Sequence, residues 1–241
     1  MKKYTKGNDV SYTLGVFPTI ELIKNKPNLI EKIIFSTKLD ISENVRNEIL
    51  DFCHKHSVKY EIDDKIINKL SDKDNCYVIG VYRIEKMSLD KNEPHIVLVN
   101  PSNMGNLGTI IRTVLGFDFK NIAIINPAVD INNPKVVRAS MGALFNINYK
   151  YYDSFEQYKS EYPNHPIYTF MLNGDNEIKD IEINGGIYSL VFGNEASGLS
   201  ADYMDEGKSI VIEHTKNIDS LNLTVAVGVA TYEFFNKMRN K

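Results

Sequence analysis

Tryptophan is absent from this chain, and cysteine nearly so: Cys53 and Cys76 are the only two among 241 residues. Two isolated cysteines exclude a disulfide framework and a cysteine-based zinc site, and they fit reduced thiols in a cytoplasmic protein. No apolar run approaches the roughly 20 residues that a membrane-spanning helix needs. The opening Met1-Lys2-Lys3-Tyr4-Thr5-Lys6 leads into polar residues, not an apolar signal core, so secretion is not expected. Charge of neither sign dominates, with 28 basic and 31 acidic side chains for a formal −3. A nucleic-acid binder normally carries a basic face. Residues 1–90 hold 15 basic and 14 acidic side chains, and residues 91–241 hold 13 and 17. A polyanionic partner must therefore meet a local patch, for which Lys2, Lys3 and Lys6, or Lys24, Lys26 and Lys32, are candidates.

Familiar catalytic signatures are missing as well. The chain has no G-x-x-x-x-G-K-[ST] and no G-x-G-x-x-G, which removes the phosphate loop and the standard dinucleotide fingerprint. It has no G-x-S-x-G elbow, because Ser197 sits in Glu-Ala-Ser-Gly. His54 and His56 are two apart on a predicted helix and point to different faces, so no metal site is expected.

What remains is an ordinary globular composition, 43% hydrophobic and 24% charged, long enough for one large domain or two small ones. The polar stretch Glu85–Pro94 separates two apolar runs, which predicts domains at 1–90 and 94–241. The first half reads as a small α/β unit, with strands at 33–36 and 77–82 and helices at 18–24 and 42–57. The second half has shorter, more continuously apolar strands at 95–99, 122–125, 167–171, 187–192 and 210–212. Such runs suit strands buried on both faces of a parallel sheet. Helical patterns fall between them, at 107–115, near 134–140, at 154–160 and from about 221 to 237. The alternation predicts an α/β fold with an open, mostly parallel sheet and ligands at the carboxyl ends of its strands.

Three loops at those ends are rich in Gly, Asn and Ser. Asn100 to Gly108 runs into a helix that carries Arg112, which lies six residues after Asn106, nearly two turns on and roughly on one side. Phe192 to Ser200 follows the most apolar strand. His214 to Thr224 enters the last helix. Glycine allows close backbone approach to a ligand, and helix starts offer free N–H groups.

Asn106-Leu-Gly-Thr-Ile-Ile-Arg112, Phe192-Gly-Asn-Glu195-Ala-Ser-Gly-Leu199 and Ser220-Leu-Asn222-Leu-Thr-Val-Ala226 resemble, in order, the three motifs of the SpoU/TrmH family of SPOUT-class RNA ribose methyltransferases. Val137 to Ala143 also resembles a family segment. The likeness covers about residues 95–240. Residues 1–90 resemble, less closely, the ribosomal-protein-like α/β domain that often precedes the catalytic one and binds RNA. The resemblance implies methyl transfer from S-adenosylmethionine to a ribose 2′-hydroxyl of rRNA or tRNA. It also implies a deep C-terminal trefoil knot and a homodimer. On that reading Gly193, Asn194, Ile212 and Leu221 contact the cofactor, and Arg112, Asn106, Glu195, Ser220 and Asn222 form the catalytic set. Thr224 stands where the family often has serine, and residues 10–17 match the family's opening poorly.

The chemistry suits those residue types. A sulfonium methyl is already activated, so the protein must chiefly hold a weakly acidic hydroxyl in line with it. A guanidinium does not deprotonate readily, so Arg112 is expected to anchor phosphate and stabilise developing alkoxide charge. Asn106, Ser220 and Asn222 orient groups without adding charge, and Glu195 holds Arg112 or a neighbouring hydroxyl. Plain structural roles compete at each place: a brace at Glu195, a cap at Ser220, a helix start at Asn222, a turn at Asn103. Arg138 reads equally as a phosphate contact or a surface charge. Tyr12, Phe17 and Tyr60 read as core or as base-stacking rings. A catalytically silent RNA-binding module and a base methylase remain open as alternatives.

Overall fold

The computed structural model describes residues 1–38, 42–73, 75–183 and 185–239. The chain forms two compact units, one of Met1–Glu85 with Asp130–Asn146 and one of Lys86–Val129 with Ile147–Lys241. Residues 130–146 thus pack in the first unit, although they lie in the second half of the chain. No helix among the described residues is long and apolar enough to cross a membrane.

The first unit contains β1 (Val10–Leu14), α1 (Val16–Asn25), β2 (Ile30–Phe35), α2 (Glu43–Lys55), β3 (Lys59–Ile62), α3 (Asp64–Leu70) and β4 (Val78–Arg83). The strands lie in the order β1-β4-β2-β3. β4 is antiparallel to β1 and β2, and β3 is parallel to β2. The apolar spacing of α2 buries Ile49 and Cys53. Burial pushes the Cys53 thiol up to about 11, which makes it a poor nucleophile. Of the three rings singled out in the sequence, Tyr12 is in the core, whereas Phe17 and Tyr60 are exposed. β1 carries no apolar strand pattern, because its Ser11 and Thr13 are polar. Both are fully buried and both are bonded: Ser11 Oγ donates to the Asn132 carbonyl at 2.5 Å, and Thr13 Oγ1 accepts from the Gly80 N–H at 2.7 Å.

The second unit runs β5 (His95–Val99), α4 (Met104–Gly116) and β6 (Asn121–Ile125). The chain then passes through the first unit as α5 (Pro134–Ala139). It resumes with β7 (Asn148–Tyr152), α6 (Phe155–Glu161), β8 (Ile167–Phe170), β9 (Asn176–Glu177), β10 (Ser189–Phe192), β11 (Lys208–Val211) and α7 (Leu223–Arg239). The seven strands lie in the order β7-β6-β5-β10-β8-β11-β9, and every neighbouring pair is parallel. β5, β6 and β10 are buried throughout, as unbroken apolar runs under two helical layers require. From β5 the chain moves outward to β6 and β7, and β10 returns on the opposite side of β5. The junction of β5 and β10 is therefore a topological switch point, where the direction of chain progression across the sheet reverses. α4 packs on α7 where Gly228 faces Thr113: a Cβ at 228 would lie 3.5 Å from the Thr113 methyl.

Candidate active site

At the switch point the loops after β5 and β10 are joined by one carboxylate. Glu195 Oε2 accepts from the Ser102 backbone N–H at 3.0 Å and from the Ser102 hydroxyl at 2.8 Å. Its Oε1 accepts from the Asn103 N–H at 3.0 Å and from Asn106 Nδ2 at 3.4 Å. Burial raises the carboxyl, yet these donors outweigh it and hold Glu195 below the usual carboxylate range. Asn194 adds a second tie, donating from Nδ2 to the Asn100 carbonyl at 2.7 Å, while its Oδ1 accepts from Ala196 N–H at 2.9 Å. Asn103 caps α4, its Oδ1 accepting from Gly105 and Asn106 N–H.

The turn after β10 doubles back on itself, with paired backbone bonds between Asn194 and Gly198. A Cβ on Gly193 would stand 2.1 Å from the Gly198 carbonyl carbon, so only glycine permits the fold-back. Beside this turn lies a cavity of about 250 Å³ at the carboxyl ends of β8, β10 and β11. Phe170 and Phe192, stacked at 4.6 Å, and Ile210 lie along its apolar side. Gly193, Asn194, Glu195, Ile212, Ser220 and Leu221, all expected at the site, line it together.

Three expected residues do not line it. Asn106 is half-buried and turned to Glu195. Arg112 is exposed on α4 and makes no ion pair or hydrogen bond among the described residues. Six residues turn a helix through about 600°, which leaves Arg112 about 120° round the axis from Asn106, so the two do not share a side. Glu195 accordingly holds the Ser102 hydroxyl and not Arg112. Asn222 begins α7: its Oδ1 accepts from the Thr224 N–H at 2.8 Å and from the Thr224 hydroxyl at 2.7 Å. Thr224 therefore keeps the bond a serine hydroxyl would make. Ser220, considered above as the cap, lies two residues upstream and exposed. Arg138 donates to Asn75 Oδ1 at 3.0 Å within the first unit.

Sequence reading missed Asn173 and His214 as cavity residues. Asn173 follows β8 in a stretch with no motif. His214 sits inside the third loop, where the apolar and Ser-Leu-Asn positions drew attention first. Its Nδ1 bonds the Ile212 carbonyl at 3.0 Å. Among the described residues, no group of three or more His, Cys, Asp or Glu is placed to hold a metal ion.

Over 160 residues the chain is 29% identical to the tRNA (cytidine-2′-O-)-methyltransferase TrmJ of Methanocaldococcus jannaschii, covering 61% of this chain and 69% of that one. Over 198 residues it is 25% identical to the 23S rRNA (adenosine(1067)-2′-O)-methyltransferase of Streptomyces azureus, covering 78% and 73%. The SpoU methyltransferase AviRb of Streptomyces viridochromogenes, solved with AdoMet, shares the fold with a TM-score of 0.81 at 18% identity, over 97% of this chain and 92% of that one. The profile of the SpoU rRNA Methylase family matches residues 93–232, which span β5, the switch-point loops, the cavity and most of α7. Since that match takes in more than half of the chain, the protein belongs to the SpoU rRNA Methylase family.

Proposed function

We propose that this protein is an RNA methyltransferase that uses S-adenosylmethionine to methylate a ribose 2′-hydroxyl of tRNA or rRNA. The observation that carries the reading is the cavity itself, where the second and third motif loops converge at the carboxyl ends of β8, β10 and β11. Its lining fits the cofactor. Apolar walls from Phe192, Leu199, Ile212 and Leu221 suit a purine and the aliphatic carbons beside the sulfonium, and Ser197, His214, Ser220 and the loop backbone suit the polar ends. The bare backbone at Gly193 gives the close approach that a clasped ligand needs. When bound, S-adenosylmethionine supplies an activated methyl group.

The protein's own residues then position the acceptor. Arg112, free of any partner among the described residues, grips an RNA phosphate and stabilises negative charge on the 2′-oxygen as its proton leaves to water. Glu195 braces the start of α4 through Asn106, and Asn222 is held by Thr224. We propose that Arg112 acts across a homodimer, because it does not line the cavity of its own chain. Val225, Val229 and Tyr232 support this: they repeat at helical spacing on α7, beside α4, and are 50%, 40% and 54% exposed. In this proposal the first unit holds RNA, the second carries the trefoil knot of the family, and the enzyme works in the cytoplasm.

Transfer of labelled methyl groups from S-adenosylmethionine to bulk tRNA and rRNA tests the reading, with nucleoside analysis of the product. A 2′-O-methylated nucleoside is expected. Methylation confined to bases would move the protein to a base-modifying class. Cofactor binding absent altogether would leave only a silent RNA-binding fold.

A further inference from the structure

Two groups of lysines stand out in the sequence as meeting places for a polyanion, and the fold treats them differently. Lys24, Lys26 and Lys32 each face a carboxylate: Glu48 at 3.6 Å, Glu85 at 3.1 Å and Glu61 at 3.2 Å. The N-terminal lysines instead join cations from elsewhere in the first unit. Lys3 reaches Asp72, just past α3, at 3.2 Å, and the Lys2 carbonyl accepts from the Tyr12 hydroxyl at 2.8 Å. α3 buries Ile67 and Leu70 and leaves Lys65 and Lys69 exposed, four residues apart on one side. Lys73 is exposed next to Asp72, and Asn75, two residues on, accepts from Arg138 at 3.0 Å. Arg138 lies on α5, three residues after the exposed Lys135, while Pro134, Val136 and Val137 are buried.

Lys3, Lys65, Lys69, Lys73, Lys135 and Arg138 are thus gathered from three stretches of a chain whose formal charge is −3. Of the six, only Lys3 is in an ion pair among the described residues, and that pair is open to water. Against them stand Asp72 and, by sequence, Asp74. Asp63 and Asp64 are turned to the Ile66 N–H and to Ser36 and Thr37, and Asp130 accepts from the Tyr4 hydroxyl. The exposed rings of Phe17 and Tyr60 lie elsewhere, on α1 and β3. Cations without an exposed aromatic ring among them suit phosphates better than unstacked bases. Resting on the reading of this protein as an RNA methyltransferase, we propose that the face formed by Lys3, α3, Lys73 and α5 grips the phosphate backbone of the substrate RNA. It supplies affinity without reading sequence, and its contribution falls as salt displaces the phosphates.

Fluorescence anisotropy of the full chain with labelled bulk tRNA and bulk rRNA, from about 50 to about 300 mM salt, tests this. The triple variant Lys65→Gln, Lys69→Gln, Lys73→Gln is expected to bind RNA roughly tenfold or more weakly at about 100 mM salt, with the slope of log Kd against log salt reduced by about 2–3. A second triple variant, Arg46→Gln, Lys55→Gln, Lys59→Gln, removes the same charge from exposed positions on α2 and β3 and is expected to stay within about twofold of wild type. Calorimetry with S-adenosylmethionine is expected to give one Kd for all three proteins. Lys135→Gln, a single exposed change on α5, is expected to lower the slope by about one, and it decides the matter should the first triple variant lose cofactor binding. Equal losses in the two triple variants would reduce the effect to net charge and overturn the proposal, and so would an unchanged slope in the first and in Lys135→Gln. Binding to vesicles of phosphatidylcholine with phosphatidylglycerol that the first triple variant loses while keeping its RNA affinity would give the face to a membrane instead. Wild-type protein that neither binds RNA nor methylates it overturns the function proposed above, and this inference with it.

Discussion

Glu195 and Ser102, 93 positions apart in the chain, are joined twice through one carboxylate oxygen, which accepts both the backbone N–H and the hydroxyl of the serine. β10 lies beside β5 in parallel register, Phe192 opposite Leu98, so the loops leaving the two strands start side by side. The bracket shapes the cavity wall and steadies the start of α4, the helix that carries Arg112.

Glu195→Gln keeps the size but replaces one acceptor oxygen with an N–H donor facing other donors. A loss of about 1–3 kcal/mol is expected in urea unfolding at neutral pH. The sign of its pH dependence follows from the lowered carboxyl. The contribution is present above the ordinary 4.5 and is lost as pH falls through the lower folded value. Wild type and variant are expected to converge in acid. A gap that stays constant down to strong acid would show that the charge is irrelevant to the bracket.

Gly193→Ala and Gly198→Ala separate packing from backbone freedom. The first places a methyl 2.1 Å from backbone and forces the turn open, so cofactor binding is expected to fall below detection by calorimetry. The second has nothing within 4 Å, and only its φ of +68° resists a side chain. A stability cost of about 1 kcal/mol with binding retained is expected there. Equal effects on binding would mean that the close contact is not what shapes the cavity.

Arg112→Ala is expected to lower methyl transfer by roughly a hundredfold or more while unfolding stability stays within about 0.5 kcal/mol, because the side chain is exposed and has no partner among the described residues. Arg112→Lys is expected to recover little, since lysine lacks the planar fork. If the proposed homodimer forms, mixing Arg112→Ala with Gly193→Ala protein is expected to restore part of the activity, as one subunit keeps the arginine and the other the cofactor cavity. No recovery after subunit exchange would place both functions in one chain.

His95 predicts acid sensitivity in the second unit. Its ring is fully buried, with Nδ1 2.9 Å from the Tyr158 hydroxyl and Nε2 2.8 Å from the Asp90 carbonyl. Burial pushes it from 6.5 down to about 4, aided by nearby His165 and opposed by the Asp90 carbonyl. The unfolded chain therefore takes up a proton that the folded one refuses. Stability is expected to fall as pH drops from about 6.5 to about 4, by at most about 3 kcal/mol. In His95→Asn that segment of the stability curve, measured by chemical denaturation, is expected to flatten.

The elements legible in the sequence are those whose reason for existing is local. β5, β6 and β10 announce themselves as unbroken apolar runs because both of their faces are covered. α7 is legible from its apolar spacing, although it begins at Leu223 and not at Leu221. β1 was not, since Ser11 and Thr13 are made suitable for the interior by the Asn132 carbonyl and the Gly80 N–H, far along the chain. β3 was hidden for a different reason: Lys59-Tyr-Glu-Ile62 is an edge strand, mostly exposed, and carries no burial pattern.

Composition and motif order alone determined the α/β class, the parallel sheet, the family likeness and the two loops that meet at the cavity. Those features follow from side-chain periodicity and from which residue types occur together, both of which are properties of the linear chain. Only the tertiary structure decided that Glu195 braces Ser102 and leaves Arg112 free, that Asn222 and not Ser220 opens α7, and that His214 belongs to the cavity wall. Each of these depends on which polar atoms come within about 3 Å of each other. That is set by the strand order that puts β10 between β5 and β8, and no local pattern in the sequence encodes it.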